Sequence, residues 1–265
     1  MSTNDVRDDQ LPAGAGEGDG DVEIVSAAST VVLRGDPFEV LLMRRHAQSS
    51  FVPGVWVFPG GTVEESDLVV AKGLSQTRIK KALAMSEDPD ELEPKIRDEI
   101  RTMKVCAMRE LFEETGIWLG DPFADPEFNR RQLLEKGLAF DTLVDSQSLP
   151  FDSLVWTSRW VTPVGVPRRF DTWFFLVTVE ENTEATPENQ EGVEMRWLRP
   201  EEALQQHVDG ELPLVFPTIR NLEAIRDFDS SEVLLESRRR AKIQTTRPIL
   251  VVEGNRKRIV LPDEE

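Results

Sequence analysis

The run Arg109-Glu110-Leu111-Phe112-Glu113-Glu114-Thr115-Gly116-Ile117 sets three carboxylates beside one arginine and closes on a glycine. A helix advances about 100° per residue, so Glu110, Glu113 and Glu114 share one narrow stripe. Val105, Met108, Leu111 and Phe112 fall largely on the other side, where they can bury. Three like charges on one stripe repel by about a few tenths of a kcal/mol per pair, so helix propensity alone does not favour them there. A hard divalent cation reverses the sign of that interaction, and Mg2+ takes oxygen ligands of this kind beside substrate phosphates. Taken alone, the run also reads as a solvated acidic face.

A second element lies upstream: Val57-Phe58-Pro59-Gly60-Gly61-Thr62-Val63-Glu64-Glu65-Ser66-Asp67. An apolar strand end runs into Pro-Gly-Gly and then an acidic turn. Paired glycines let a main chain approach a ligand closely. Together the two elements resemble the Nudix box, G-x5-E-x7-R-E-U-x-E-E-x-G-U with U a bulky apolar residue. The downstream half matches at Arg109, Glu110, Leu111, Glu113, Glu114, Gly116 and Ile117. Upstream, five residues past Gly61 stands Asp67, where the family has Glu. Residues 68 to 108, 41 in number, then separate Asp67 from Arg109 where the pattern has 7, an insertion of 41 − 7 = 34 residues.

An interrupted box is a mark of the peroxisomal-type acyl-coenzyme A diphosphatases, and further segments are similar to that branch. They are Phe51-Val52-Pro53-Gly54, Cys106-Ala107-Met108, Trp160-Val161-Thr162-Pro163, Arg168-Arg169-Phe170-Asp171-Thr172 and Pro248-Ile249-Leu250-Val251. The resemblance runs from about residue 22 to residue 261. It implies an α+β fold, the Nudix α/β/α sandwich on a mixed sheet, with a helical insertion (about 68–101) inside the box and a C-terminal β-hairpin extension. Its domain plan is an acidic disordered tail over 1–21, the catalytic domain over 22–235 and the extension over 236–265.

The resemblance also implies roles. Glu110 and Glu114, four apart, are the principal Mg2+ (or Mn2+) ligands, and Glu113 is a third, direct or through water. Arg109 orients a carboxylate, for which Glu113 at i+4 is within reach. Asp67 replaces the upstream glutamate that holds the arginine, and Glu64 or Glu65 are alternatives. The base belongs to a loop before a late strand, where Glu184, Glu188, Glu191 and Glu194 stand. Glu191, six before Trp197, best resembles the spacing of the branch. The implied reaction is hydrolysis of the diphosphate of coenzyme A or acyl-coenzyme A, with other nucleoside diphosphates such as ADP-ribose or nucleotide sugars as the alternative. A non-catalytic nucleotide-sensing module is a reading of a different class.

Composition narrows the partners. Against 49 acidic residues stand 31 basic ones, a net charge of −18, which excludes adhesion to nucleic acid or to anionic membranes. An acidic chain that handles a diphosphate must concentrate its cations, so Arg44-Arg45 and Arg168-Arg169, both at strand ends, are candidate phosphate contacts with Gly60 and Gly61. Surface charge balance is the other reading of both pairs. Phe51, Phe170 and Trp173 could stack a base or line an acyl channel, although strand aromatics are commonly core. His46 and His207 read as structural. The single cysteine excludes an internal disulfide and suits a reducing compartment, and Cys106 reads as a small buried apolar residue. No run of about 18 apolar residues occurs, so no membrane span is expected. Neither a signal peptide nor a Ser-Lys-Leu ending is present, and cytoplasm is the expected location. A homodimer is left open.

The coarse pattern predicts strands at 25–33 and 38–44 about a Gly35-Asp36-Pro37 turn, and a short strand at 55–58. A helix over 76–85 and a long helix from Pro94 to Thr115 stopped by Gly116 follow, then one from Asp125 to Gly137. Strands at 155–161, 173–179 and 194–198, a helix over 217–228 and a hairpin turning at Glu253-Gly254-Asn255 complete the reading.

Overall fold

The computed structural model describes residues 11, 15–16, 22–49, 52–73, 94–188, 192–253 and 256–262. The helix expected over 76–85, Phe51 and Glu191 lie outside the described residues.

The chain begins its sheet with β1 (Ile24–Arg34) and β2 (Glu39–Arg45), joined by a turn in which Gly35 takes φ 75°. β2 reads apolar after Glu39 because Val40, Leu41, Leu42 and Met43 are all buried, as the pattern implied. Next come β3 (Trp56–Val57), β4 (Gly60–Thr62) and α1 (Glu65–Lys72). The strand expected over 55–58 therefore ends early, at Val57, and the glycine pair starts a strand of its own. α2 (Pro94–Thr115) runs as its sequence predicts, with proline in the first turn, and Gly116 ends it at φ 75°. α3 (Pro126–Lys136) starts on Asp125, whose carboxylate accepts from Phe128 N, and stops at Gly137 (φ 61°).

Three short 3-10 turns at 140–142, 146–148 and 151–153 lead to β5 (Val155–Val161) and β6 (Arg169–Thr178). β6 begins four residues earlier than predicted because its first half pairs with the exposed start of β1. β7 (Gly192–Leu198), α4 (Pro200–Asp209), α5 (Phe216–Ile225) and α6 (Ser231–Arg239) follow. β8 (Thr245–Thr246) precedes a hairpin of β9 (Ile249–Glu253) and β10 (Arg256–Val260).

The main sheet runs β3-β2-β1-β6-β5-β8, with β4 also paired to β1 and β7 to β2. β1 and β6 are parallel while β1–β2 and β5–β6 are antiparallel, so the sheet is mixed. Alternation along the central strands sorts their side chains onto two faces. Val31, Leu33, Phe174 and Leu176 pack with Leu204, Ile219, Leu222 and Leu234 from α4, α5 and α6. Ala28, Trp173 and Phe175 pack with Val70, Met103, Cys106, Phe112 and Leu133 from α1, α2 and α3. The result is a three-layer α/β/α arrangement of α+β class. Trp173 is wholly buried and stacks on Trp156 at 4.5 Å, so it is core and not a ligand platform. Leu250, Ile259 and Leu261 lay the terminal hairpin on the first of these cores. At the other end of the chain, Leu11 and Ala15 are buried and Gly16 N donates to Gly165 O at 2.7 Å.

Candidate active site

β4 crosses directly over α2, and the glycine pair makes that possible. A Cβ on Gly60 would lie 2.6 Å from Ser29 Cα, and the residue sits at φ 156°. A Cβ on Gly61 would lie 2.5 Å from Glu110 Cδ and closer still to its Oε1. A Cβ at Gly60 would strike the β1 backbone and one at Gly61 would force the Glu110 carboxylate to shift, so glycine lets β4 lie close to both β1 and the acidic stripe. Gly60 N donates to Glu114 Oε2 at 2.7 Å, and Cys106 Sγ donates to Gly61 O at 3.7 Å.

Arg109 is the hub of the stripe. It is 1% exposed, and its Nε and Nη2 each donate to one oxygen of Asp67 at 2.9 Å. This is the planar two-point fit that guanidinium and carboxylate share. Nη1 donates to Glu110 at 3.0 Å and to Glu113 at 2.9 Å, and Nη2 also donates to Thr62 O at 2.9 Å. Burial on its own would lower the guanidinium's pKa. The bond with Asp67 and the charges of Glu110 and Asp67 outweigh it and carry the guanidinium above its ordinary range. Glu113 moves upward because burial outweighs its bond with Arg109. Asp67 is wholly buried and also accepts from Glu64 N at 2.9 Å, which starts α1. Glu64 itself approaches Arg109 only to 3.9 Å. Asp67 thus meets the arginine from across the insertion, with neither Glu64 nor Glu65 in its place.

The stripe opens on a cavity of about 840 Å3. Gly60, Gly61, Arg109, Glu110, Glu113 and Glu114 line it, as do Arg45, Arg168 and Arg169 and the carboxylates Glu23 and Glu64. Val52, Val55, Phe58, Phe170 and Phe174 supply apolar wall. Arg44, expected beside Arg45, is not among the lining residues. Successive side chains of a strand point to opposite faces, and Arg44 lies 3.6 Å from Glu194. Of the described loop glutamates, Glu184, Glu188 and Glu194, Glu188 lines the cavity. His207 is buried and its Nδ1 accepts from Leu214 N at 3.2 Å, while the His46 Nδ1 accepts from Gln48 N at 3.0 Å, both local structural bonds. Cys106 is fully buried, and burial pushes its thiol well up, as suits an inert packing residue.

Arg130 carries no motif and went unread in the sequence. From α3 its Nε donates to Glu113 O at 2.9 Å, and Nη2 to Glu114 O at 2.9 Å and Thr186 O at 2.8 Å. These acceptors are backbone carbonyls, so no side-chain pattern advertises them.

Only oxygen donors front the acidic side of the cavity, the set a hard cation such as Mg2+ takes. Among the described residues, no three acidic, His or Cys side chains converge on one point as they stand. Arg109 instead holds Glu110 and Glu113. The donor chemistry fits the ion. Of Glu110 and Glu113, the Glu113 side chain is the more open, at 20% exposure against 11% for Glu110.

Comparison with known proteins gives a consistent set of likenesses. The family model described as the NUDT19 Nudix domain matches residues 21–225. The acyl-coenzyme A diphosphatase NUDT19 of Xenopus laevis is 28% identical over 230 residues, covering 72% of this chain and 60% of that protein. Its Gallus gallus counterpart is 29% identical over 238 residues, covering 73% and 62%. Putative nudix hydrolase 7 of Caenorhabditis elegans is 26% identical over 215 residues, covering 78% and 63%. The chain therefore spans 60 to 63% of the length of these relatives. A crystal structure of a NUDIX hydrolase from Alicyclobacillus acidocaldarius superposes with a TM-score of 0.66 at 29% identity, covering 81% of this chain and 96% of that one. Among the described residues no helix is long and apolar enough to cross a membrane.

Proposed function

The chain belongs to the NUDT19 Nudix domain family, and from that premise we propose that it is a divalent-metal-dependent diphosphatase acting on coenzyme A or acyl-coenzyme A. The products would be adenosine 3′,5′-bisphosphate and (acyl-)4′-phosphopantetheine. The observation that carries this reading is one cavity lined both by the box carboxylates on their glycine cradle and by Arg45, Arg168 and Arg169. A diphosphate calls for both kinds of group: its charge suits the arginines, and its scissile oxygens suit a cation held by the carboxylates. Glu110, Glu113 and Glu114 would hold Mg2+ or Mn2+, which when bound supplies neutralisation of charge on the phosphates.

The residues of this chain do the rest. Asp67 fixes Arg109, and Arg109 keeps the stripe's carboxylates in register. The Gly60 amide holds Glu114, and the glycine backbone lets phosphate oxygens approach. Glu191 remains the candidate to take a proton from water, with Glu188, which lines the cavity three residues before it, as the other. The apolar wall at Val52, Val55, Phe170 and Phe174 suits a pantetheine or acyl arm. Small-molecule substrates, with neither nucleic acid nor an anionic membrane as partner, agree with the charge of −18. Whether the chain pairs as a homodimer bears on none of these roles.

The test is product analysis with purified protein, Mg2+ and either coenzyme A or its 3′-dephospho form. Release of adenosine 3′,5′-bisphosphate, with the dephospho form hydrolysed at least about tenfold less efficiently, supports the reading. Equal rates on both would favour the alternative, a pyrophosphatase for ADP-ribose, nucleotide sugars or other nucleoside diphosphates. A sensing module without turnover loses its main support in Asp67, because that residue keeps the arginine of the box fully engaged.

A further inference from the structure

Arg130 lies on α3, outside the box, yet the residue is 6% exposed and directs its donors to three carbonyls from two different segments. Glu113 O and Glu114 O belong to the last turn of α2, where carbonyls have no partner within the helix and carry partial negative charge. Thr186 O belongs to the 180–188 loop, and Thr186 N donates in turn to Thr115 O at 2.8 Å. The loop is thus tied at residue 186 by both its donor and its acceptor. Gly116 leaves space for the guanidinium, since a Cβ there would lie 3.2 Å from Arg130 Nη1. Two residues beyond Thr186, Glu188 lines the cavity that Glu113 and Glu114 also line. A simple helix cap would need only the first two bonds. The third spans to the loop.

We infer that Arg130 is a positioning residue, fixing the 180–188 loop and with it Glu188 at a set distance from the end of the helix that bears Glu113 and Glu114. Its hydrogen bonds go to backbone carbonyls, and its charge also acts on Glu188 and Glu114. The inference rests on the reading of the cavity as a diphosphatase site. If the bracing is lost, Glu188 is misplaced, and misplacement of a reacting group by about 1 Å can cost roughly a hundredfold in rate.

The experiment compares R130M, E188Q and the double variant with the wild-type chain. Steady-state hydrolysis of coenzyme A is measured with Mg2+, and amide hydrogen exchange is followed over residues 180–188. R130M is expected to lower kcat by about a hundredfold with KM changed less than about threefold, and to speed exchange across the loop. In the E188Q background, R130M should cost at most about twofold more, because the group it positions is already gone. Losses that multiply in the double variant, or loop exchange unchanged in R130M, overturn the inference. Exchange needs no turnover, so a wild-type chain inactive on every diphosphate tested would sink the proposed function while the exchange data still judge Arg130. Should R130M fail to fold, R130K keeps the charge without the planar fork. Wild-type kcat and wild-type exchange in R130K would overturn the inference equally.

Discussion

Replacing Asp67 by Asn tests the coupling on which the site is built. The substitution keeps the shape of the side chain and removes its charge. It also turns one acceptor into a donor, which then faces one of the two guanidinium nitrogens, each 2.9 Å from its present oxygen. At least one of those bonds is lost, and Arg109 at 1% exposure has no water to replace it. Breaking a buried pair by disabling one partner costs about 3–5 kcal/mol. Arg109 keeps Glu110 and Glu113 at 3.0 and 2.9 Å, so the lower half of that range applies, about 3 kcal/mol. In a chain of this size that corresponds to a fall in Tm of roughly 6–12 °C. Urea unfolding of D67N, R109M and D67N/R109M closes a double-mutant cycle, and a coupling of about 2 kcal/mol or more is expected. Coupling below about 0.5 kcal/mol would refute the claim that Asp67 and Arg109 act as one unit.

E114Q should fold with a near-native Tm, because a Gln oxygen can still accept from Gly60 N, yet lose at least about a hundredfold in kcat through the missing charge, read by coenzyme A turnover. G61A should lose activity to a similar extent, since the new methyl displaces Glu110; Mg2+ binding followed by calorimetry should weaken in step, and unaltered binding would contradict the cradle. Lys104 is buried, donates to Phe151 O at 2.9 Å, and is pushed down by burial to about 8. Its charge therefore opposes folding below about pH 8. Between about pH 8 and 10.5 the unfolded chain binds the extra proton, so this group makes stability rise with pH. The full effect is at most about 3 kcal/mol, and K104M, compared with wild type by urea midpoints at pH 7.5 and 10, should lack it.

The long helix was legible from end to end because its limits are chemical: a proline in the first turn and a glycine free to take φ 75° after the last. The hairpin at the C-terminus and the buried run of β2 were readable for similar reasons. α4 and α6 went unread, although Pro200, Gly210 (φ 82°) and the Ser230 cap bound them. Their amphipathic faces are short and were submerged in charged sequence. Within the site, Arg109, the glutamate stripe and the glycine pair were visible because side chains of one helix and one turn carry them. Arg45 could not be told from Arg44 without knowing which face of β2 meets the cavity. Arg130 was invisible because it reads main-chain oxygens, which every residue has.

The Asp67–Arg109 contact closes a gap of 41 residues where the family's linear pattern has 7. By polymer statistics, even a wholly flexible connection lengthened that much would raise the closure entropy by only about 1.5 kcal/mol, less than the contact it leaves intact. Search patterns that fix the interval will overlook such proteins, whereas patterns that score the two ends separately will find them.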